Sequence, residues 1–272
     1  MKDARLSILS LVTALFLLSL TAVSAKAQET SAEFLSDLHD FRISNYMALD
    51  AFYSFSATGD TDTLNRIVVS INNANDSMNS VISSTSGVLS EDQVEGLNQE
   101  FDQFKNLMRG NINEVRDRGY PDLRLMADLA TQASNLNNQA SELYAISQEK
   151  SGVATSDRVE SARSAAVIMV QMMSRYAARS NSSVSQTFQG ASSDVPLDEQ
   201  AIAFEKQLSS ARSGSPTGEL KAALDDVAAK WQFIRSSYIN YNDNNVSFII
   251  DRYSKGIIEG LENAIDLMGT TS

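Results

Sequence analysis

The sequence predicts an all-α fold of long amphipathic helices, arranged in one or two up-down four-helix bundles that follow an N-terminal signal peptide. Apolar residues recur at alternating steps of three and four, and the 272 residues include only 3 prolines. That spacing places the apolar side chains on one stripe of an α-helix. A strand would need apolar residues at every second position, and no comparable stretch has that period. We therefore predict helices and no strands.

The first 27 residues have the layout of a secretory signal peptide. Lys2 and Arg5 precede an apolar run at 6–23, and a small-residue A-x-A sequence ends at Ala27. Signal peptides combine these three features in this order. We expect cleavage after Ala27 and a periplasmic or secreted bacterial protein. The alternative is an uncleaved N-terminal membrane anchor, because the run approaches the roughly 20 apolar residues that cross a bilayer.

The composition of the chain excludes some classes of binding partner and of catalytic or metal-binding chemistry. The formal net charge is −12, and the predicted signal peptide carries more basic than acidic residues, so its removal makes the chain more acidic. Such a surface repels phosphate backbones, and we expect no nucleic-acid partner. The chain has no cysteine, which excludes disulfides, thiolate metal sites and a cysteine nucleophile. We predict no cofactor and no metal site.

Turn and capping residues delimit the predicted helices. Ser90 and Gln93 have the spacing of a capping box, and Gly119 with Pro121 indicates the end of one helix and the start of the next. The eight predicted helices span residues 31–57, 60–86, 90–117, 121–149, 156–188, 197–212, 216–242 and 245–268.

The mature chain divides into two halves, 28–150 and 156–270, that have similar apolar spacing. The stripe on the third helix matches the stripe on the seventh at offsets of 126 or 127. We infer a duplication in which each half is an up-down four-helix unit. The alternative is one rod in which the fourth helix continues into the fifth, through the weak point at 151–155. The paired positions are Val94, Leu97, Phe101, Phe104, Met108, Ile112 and Val115 with Leu220, Leu224, Val227, Trp231, Ile234, Tyr238 and Tyr241.

A polar row on the fifth helix is the first candidate for a binding site. Arg175 and Arg179 are one turn apart, and Gln171 lies one turn earlier on the same face. Guanidinium groups converging with an amide suit a carboxylate or a small oxyanion. The alternative is that both arginines pair with acidic side chains on neighbouring helices.

The first helix provides a second pair of candidates, Arg42 and Asn45. Asn45 interrupts an apolar stripe, and Arg42 lies beside it. A polar residue on a buried seam can simply fix the register of the helices. It can also line a polar cavity between helices, where bundles keep their ligands. The stripe consists of Phe34, Leu38, Phe41, Ala48 and Phe52.

His39 is the single histidine. A Ser-His-Asp triad would have to use it, but no glycine-framed nucleophile sequence accompanies it. We expect His39 to be a partly exposed helix residue and the protein to be non-enzymatic, with no catalytic residues.

Four short segments carry a resemblance to a known family: Leu143-Tyr144, the Ser-Ala-Arg-Ser-Ala-Ala sequence at 161–166, Gln-Met-Met-Ser-Arg at 171–175 and Lys-Trp-Gln-Phe-Ile-Arg at 230–235. In these segments the chain resembles the helical extracytoplasmic sensor modules of bacterial chemoreceptors and sensor kinases. The likeness is to the N-terminal domain of type IV pili chemotaxis transducers and to nitrate- and nitrite-sensing bundles. Those families have an arginine-rich string where this chain has mostly small and apolar residues between Arg163 and Arg175.

The resemblance implies a chemotaxis-like sensor domain. The expected function is a periplasmic sensing or binding module for a small ligand, with an anion favoured, or for the outer domain of a membrane receptor. A homodimer is among the expected assemblies. The alternative is a structural or adaptor protein of the cell envelope, coiled-coil-like and without a ligand pocket.

Overall fold

A computed structural model describes residues 3–84, 88–151, 155–181, 195–242 and 245–269, with side chains from residue 31 onward except that of Ser151. These ranges form eight α-helices and contain no strand, which confirms the all-α prediction. The helices are α1 (Asp3–Thr58), α2 (Thr61–Ser83), α3 (Glu91–Arg118), α4 (Leu123–Ser151), α5 (Asp157–Asn181), α6 (Leu197–Ala211), α7 (Gly218–Ile239) and α8 (Ser247–Gly269).

Local capping explains where α3 begins and ends. The Ser90 hydroxyl accepts a hydrogen bond from the Gln93 backbone N–H at 3.3 Å, and the Gln93 side-chain oxygen accepts from the Ser90 N–H at 2.9 Å. This is the predicted capping box, and it satisfies two N–H groups that the helix leaves free. At the other end Gly119 takes a left-handed conformation, with φ of 81°. Glycine adopts it without the steric cost of a Cβ.

The start of α1 differs from the prediction. Its backbone is helical from Asp3, whereas the sequence placed the first helix at 31–57. The physical reason is that no glycine or proline precedes Gly59, so no strong helix breaker separates the predicted signal peptide from the helix that follows. The described part of the fifth helix reaches Asn181, and the last predicted turns, up to residue 188, lie outside the described residues. The weak point at 151–155 falls between α4 and α5, with 152–154 outside the described residues.

The two halves share one packing pattern. In the first half, α1 packs against α2 and α4, and α3 packs against α4, while α2 and α3 hardly touch. In the second half, α5 packs against α6 and α8, and α7 packs against α8, with a weaker contact between α6 and α7. The halves meet along α1 and α5.

This arrangement buries α1 on two sides. Phe41 packs against Phe101 of α3, with ring centroids 5.1 Å apart. His39, two residues earlier, instead contacts Glu262 of α8 at 2.9 Å. The helix α5 is likewise buried over much of its circumference. Polar residues on the second side of α1 are therefore removed from water, which is the condition for a buried polar site.

The predicted stripes on α3 and α7 form much of the core, with one change of register. Asn111 is fully buried, whereas Ile112, which the sequence placed on the stripe, is only partly buried. The Asn111 amide nitrogen donates to the carbonyls of Leu107 and Leu125, each at 2.9 Å. The second bond joins α3 to α4, so the buried amide has a structural partner. Leu220 and Tyr241, at the ends of the α7 stripe, are also only partly buried.

Among the residues from 31 onward whose side chains are described, no helix has enough continuous apolar sequence to cross a membrane.

Candidate functional site

The polar row predicted on α5 is held by neighbouring segments. Arg175 donates to the backbone carbonyl of Val195 and to the side-chain oxygen of Gln200. The guanidinium of Arg179 lies over the ring of Tyr241, 5.0 Å from its centroid. Gln171 is partly buried. The two arginines thus contact different segments, the start of α6 for Arg175 and the turn after α7 for Arg179, and part of their binding capacity is already used.

Arg42, from the second predicted pair, lies in a buried polar cluster between α1, α4 and α5. Its guanidinium carbon is 5.4 Å from the centroid of the Tyr144 ring. The guanidinium carbon of Arg163, on α5, is 6.0 Å from the same centroid. One aromatic ring from α4 therefore has two arginines from different helices around it. Cation–π attraction stabilises such pairs where they are shielded from water.

Glu160 and the Tyr144 hydroxyl connect the cluster by hydrogen bonds. The hydroxyl is 2.9 Å and 2.8 Å from the two carboxylate oxygens of Glu160, to which it donates. The same hydroxyl accepts a hydrogen bond from Arg163 Nη1 at 2.9 Å. Arg163 and Glu160 also form a looser ion pair at 3.5 Å. Their spacing of three residues places both on one face of α5, directed at α4.

Several donors in and beside this cluster remain unused. Arg42 Nε and Arg163 Nε are buried and have no hydrogen-bond partner within the described residues. Asn45, one turn along α1 from Arg42, is 0% exposed, and neither its oxygen nor its nitrogen has such a partner. An unsatisfied buried polar group costs about 1–3 kcal/mol. A small polar molecule that reached these four atoms, two on arginines and two on Asn45, would be stabilised by hydrogen bonds to them.

The charges of the cluster favour an anionic ligand. Arg42 and Arg163 each carry a positive charge, and Glu160, paired with Arg163 at 3.5 Å, offsets one of them. Burial is the main cause that lowers the pKa of the Arg42 guanidinium, while Tyr144, Tyr46 and Glu160 oppose the shift. An anion bound beside Arg42 would favour its charged form in the same way. Burial also raises the pKa of Tyr144, so its hydroxyl remains a hydrogen-bond donor.

Sequence reasoning found only part of this cluster. It selected Arg42 and Asn45 because a polar residue interrupted an apolar stripe. It did not select Tyr144, Glu160 and Arg163 as site residues, although Tyr144 and Arg163 lie in the segments that carry the family resemblance. The feature of the sequence that could have identified Glu160 and Arg163 is their three-residue spacing beside small residues. The partner helix could not be known from that spacing.

His39 requires a correction. We expected a partly exposed residue from the sequence, but the His39 side chain is 1% exposed. The cause is the contact between the two halves, which covers the side of α1 that a single bundle would leave in water. Within the described residues, one set of side chains has the atom types and proximity to hold a metal ion: His39, Asp40 and Glu262.

Two open grooves follow the loosely packed seams of the halves. One, of about 620 Å³, lies between α2 and α3, and the other, of about 950 Å³, lies between α6 and α7. In the second groove Asp225 pairs with both Arg212 and Lys221, and Glu205 pairs with Arg235. Because the two carboxylates already pair with the three basic groups at the surface, the groove keeps only a small net positive charge and no unpaired carboxylate among these residues.

Comparison of the chain with protein-family models, with curated proteins and with solved structures gave no significant match. The functional interpretation therefore depends on the residues themselves.

Proposed function

We propose that the protein is a non-enzymatic, exported sensing module that binds a small anion between α1, α4 and α5. The observation that carries this proposal is the set of buried, unpartnered polar atoms on Arg42, Asn45 and Arg163. Two guanidinium groups can bind a planar carboxylate or oxyanion with several charge-assisted hydrogen bonds. Placement of the site between helices also agrees with where helical bundles keep ligands.

The same proposal includes the duplicated architecture and the cellular location. Each half is a four-helix unit, and the first helix of each half, α1 or α5, lies at the junction. A site at this junction would link ligand binding to the relative position of the halves, which is how a sensing module can pass information to a receptor. Support comes from the matched packing pattern of the halves. Cleavage after Ala27 and release into the periplasm complete the proposal.

Thermal unfolding in the presence of small anions tests the site. The purified protein would be heated with nitrate, acetate, sulfate or phosphate, at ionic strength matched with chloride. A ligand that binds only the folded state stabilises it by about 2.7 kcal/mol at a concentration one hundred times its dissociation constant. We expect at least one of these anions to raise the melting temperature well beyond the effect of chloride.

Two variants decide between the candidate sites. Arg42→Gln should lose the anion-induced stabilisation, whereas Arg175→Ala should retain it, because Arg175 already donates to Val195 and Gln200. Circular dichroism without anion checks that each variant is folded. If Arg175→Ala lost the anion-induced stabilisation and Arg42→Gln kept it, the binding site would instead be the polar row on α5. No response to any anion in the parent protein would refute an anion-binding function.

An adaptor function is the second candidate, and exposed aromatic residues favour it. Phe248 is 75% exposed and Phe233 is 58% exposed. The ring of Phe233 packs on that of Tyr253, with centroids 4.6 Å apart, so α7 and α8 present adjoining apolar surface to solvent. Exposed apolar patches commonly mark protein interfaces. Light scattering coupled to size-exclusion chromatography separates the functions, since an adaptor rod predicts an elongated oligomer and a sensing module a compact monomer or dimer.

A further inference from the structure

His39, Asp40 and Glu262 form a compact group at the junction of α1 and α8. His39 Nε2 is 2.9 Å from Glu262 Oε1. One ligand-type atom from each of the three residues lies within 4.8 Å of the other two. The histidine side chain is 1% exposed and that of Glu262 is 33% exposed, so the group is shielded on one side and reachable from solvent on the other.

The spacing and atom types fit a transition-metal ion. Bonds of about 2.0–2.2 Å from zinc to imidazole nitrogen or carboxylate oxygen place neighbouring ligands of a tetrahedral site about 3.4 Å apart. The Nε2–Oε1 separation in this protein is 2.9 Å, so a small side-chain movement would bring the two atoms to that spacing. Mixed nitrogen and oxygen ligands suit zinc and related ions, whereas magnesium and calcium prefer sites made of oxygen alone.

The ionised form of Asp40 is poorly stabilised in the protein without an ion. Burial is the main cause that raises the pKa of Asp40 to about 6, and the negative charges of Glu262 and Asp37 raise it further. His39 and Arg163 act in the opposite direction. A divalent ion between the carboxylates would stabilise their ionised forms.

The second ring nitrogen of His39 lacks the partner that a buried structural histidine normally has. Nδ1 is buried and has no hydrogen-bond partner within the described residues. A buried imidazole in a purely structural role normally has both nitrogens satisfied. With one nitrogen beside a carboxylate and the other unpartnered, the ring is bound on one side only, and it can reorient toward an ion without losing another hydrogen bond.

We propose that His39, Asp40 and Glu262 bind a divalent transition-metal ion, with Zn²⁺ as the representative probe, and that the ion connects α1 of the first half to α8 of the second. Three protein ligands leave at least one coordination position for water or a small ligand. The two proposed sites share no ligand residue, although Arg163 of the anion site is close enough to act on the carboxyl of Asp40.

The single histidine makes the test direct. In the full chain, labelled with ¹⁵N and freed of any histidine tag, the imidazole signals come from His39 alone. We expect stoichiometric Zn²⁺ to shift a ring-nitrogen resonance and Mg²⁺ to leave it unchanged. Unchanged imidazole resonances at one equivalent of Zn²⁺ would overturn the proposal.

Matched carboxylate variants assign the other ligands. Glu262→Gln and Asp40→Asn should each weaken Zn²⁺ affinity, measured by calorimetry, by more than about tenfold, the lower bound known for less direct changes at metal sites. Asp266→Asn removes a charge from an exposed position one turn along α8 and should leave the affinity within about twofold of the parent. Equal losses in Asp266→Asn and Glu262→Gln would indicate diffuse attraction by an acidic surface and would refute the site. Circular dichroism confirms that each variant is folded. If a variant fails to fold, the imidazole shift in the parent protein still decides the outcome.

Discussion

The carboxylate of Asp50 on α1 lies 3.7 Å from the ammonium group of Lys255 on α8. Asp50 is 1% exposed, and this pair is a further polar contact across the junction of the halves. Lys255 also pairs with Asp251 on its own helix. Burial is the main cause that raises the pKa of Asp50 to about 7, with Asp251 adding to the increase and Lys255 and Arg66 opposing it.

The raised pKa of Asp50 predicts that stability falls as pH rises. Its ordinary pKa is 3.8 and its folded pKa is about 7, so between these values the folded state binds more protons than the unfolded state. The free energy of unfolding contributed by this group is therefore full below the unfolded pKa and is lost as pH rises through the folded pKa. Urea unfolding at about pH 5 and about pH 8 should show less loss of stability in Asp50→Asn than in the parent. If Asp50→Asn lost as much stability between these pH values as the parent, or more, Asp50 would be excluded as the source of the pH dependence.

Removal of one hydroxyl should destabilise the candidate anion site. In Tyr144→Phe, Glu160 loses the hydrogen bond that the single hydroxyl proton shares between its two oxygens, and Arg163 loses its acceptor. The change leaves charged groups poorly satisfied in a largely buried cluster. We expect a cost of about 1–3 kcal/mol in the free energy of unfolding. Tyr120 is 62% exposed, and Tyr120→Phe should change the free energy of unfolding by less than about 0.5 kcal/mol. Equal effects in denaturant titrations would show that the network contributes nothing.

The same chemical change at two glycines of α3 should have opposite signs. Gly119 has φ of 81° at the end of the helix, a conformation that costs an L-residue roughly 1–2 kcal/mol, so Gly119→Ala should destabilise the protein. Gly110 lies inside α3 with no atom within 4 Å of an added Cβ. Gly110→Ala should stabilise by about 0.5–1 kcal/mol, because alanine loses less conformational entropy on folding. Chemical denaturation measures both, and changes of the same sign would contradict the helix boundary.

The aromatic core of the first half should be sensitive to truncation. Phe101 is 0% exposed and packs between Phe41 and Phe104. Phe101→Ala should cost about 3–5 kcal/mol. Phe248→Ala, at a 75% exposed position, removes the same atoms and should cost less than about 0.5 kcal/mol. Thermal and urea unfolding monitored by circular dichroism provide the comparison, and similar losses at both positions would disagree with the packing.

Much of the helical fold could be predicted because its signals are local. Seven of the eight helices, all but α1, begin within two residues of the predicted position. The spacing of apolar residues, the Ser90 capping box and the Gly119 turn each act within a few positions of the chain. The start of α1 was wrong because no local breaker marks it. We placed Ile112 on the buried stripe because it is apolar and its neighbour Asn111 is polar. Asn111 is buried instead, because its side chain donates a hydrogen bond to a backbone carbonyl of α4.

The candidate site could be predicted only in part. A break in an apolar pattern identified Arg42 and Asn45, because that break is visible along one helix. The contact of Arg42 with Tyr144 joins residues about one hundred positions apart, and no periodicity within α1 specifies it. His39 was assigned to a partly exposed position for the same reason, since its partner Glu262 is 223 positions away.

The sequence by itself determined the helices, their apolar stripes and most of their ends, because hydrogen bonding in a helix and the three-four spacing of side chains act over one or two turns. Only the tertiary structure decided which side of α1, besides its apolar stripe, is buried and which polar residues meet there. That decision comes from packing one half against the other, which removes His39, Arg42 and Asp50 from water together and leaves their pairing to residues far away in the chain.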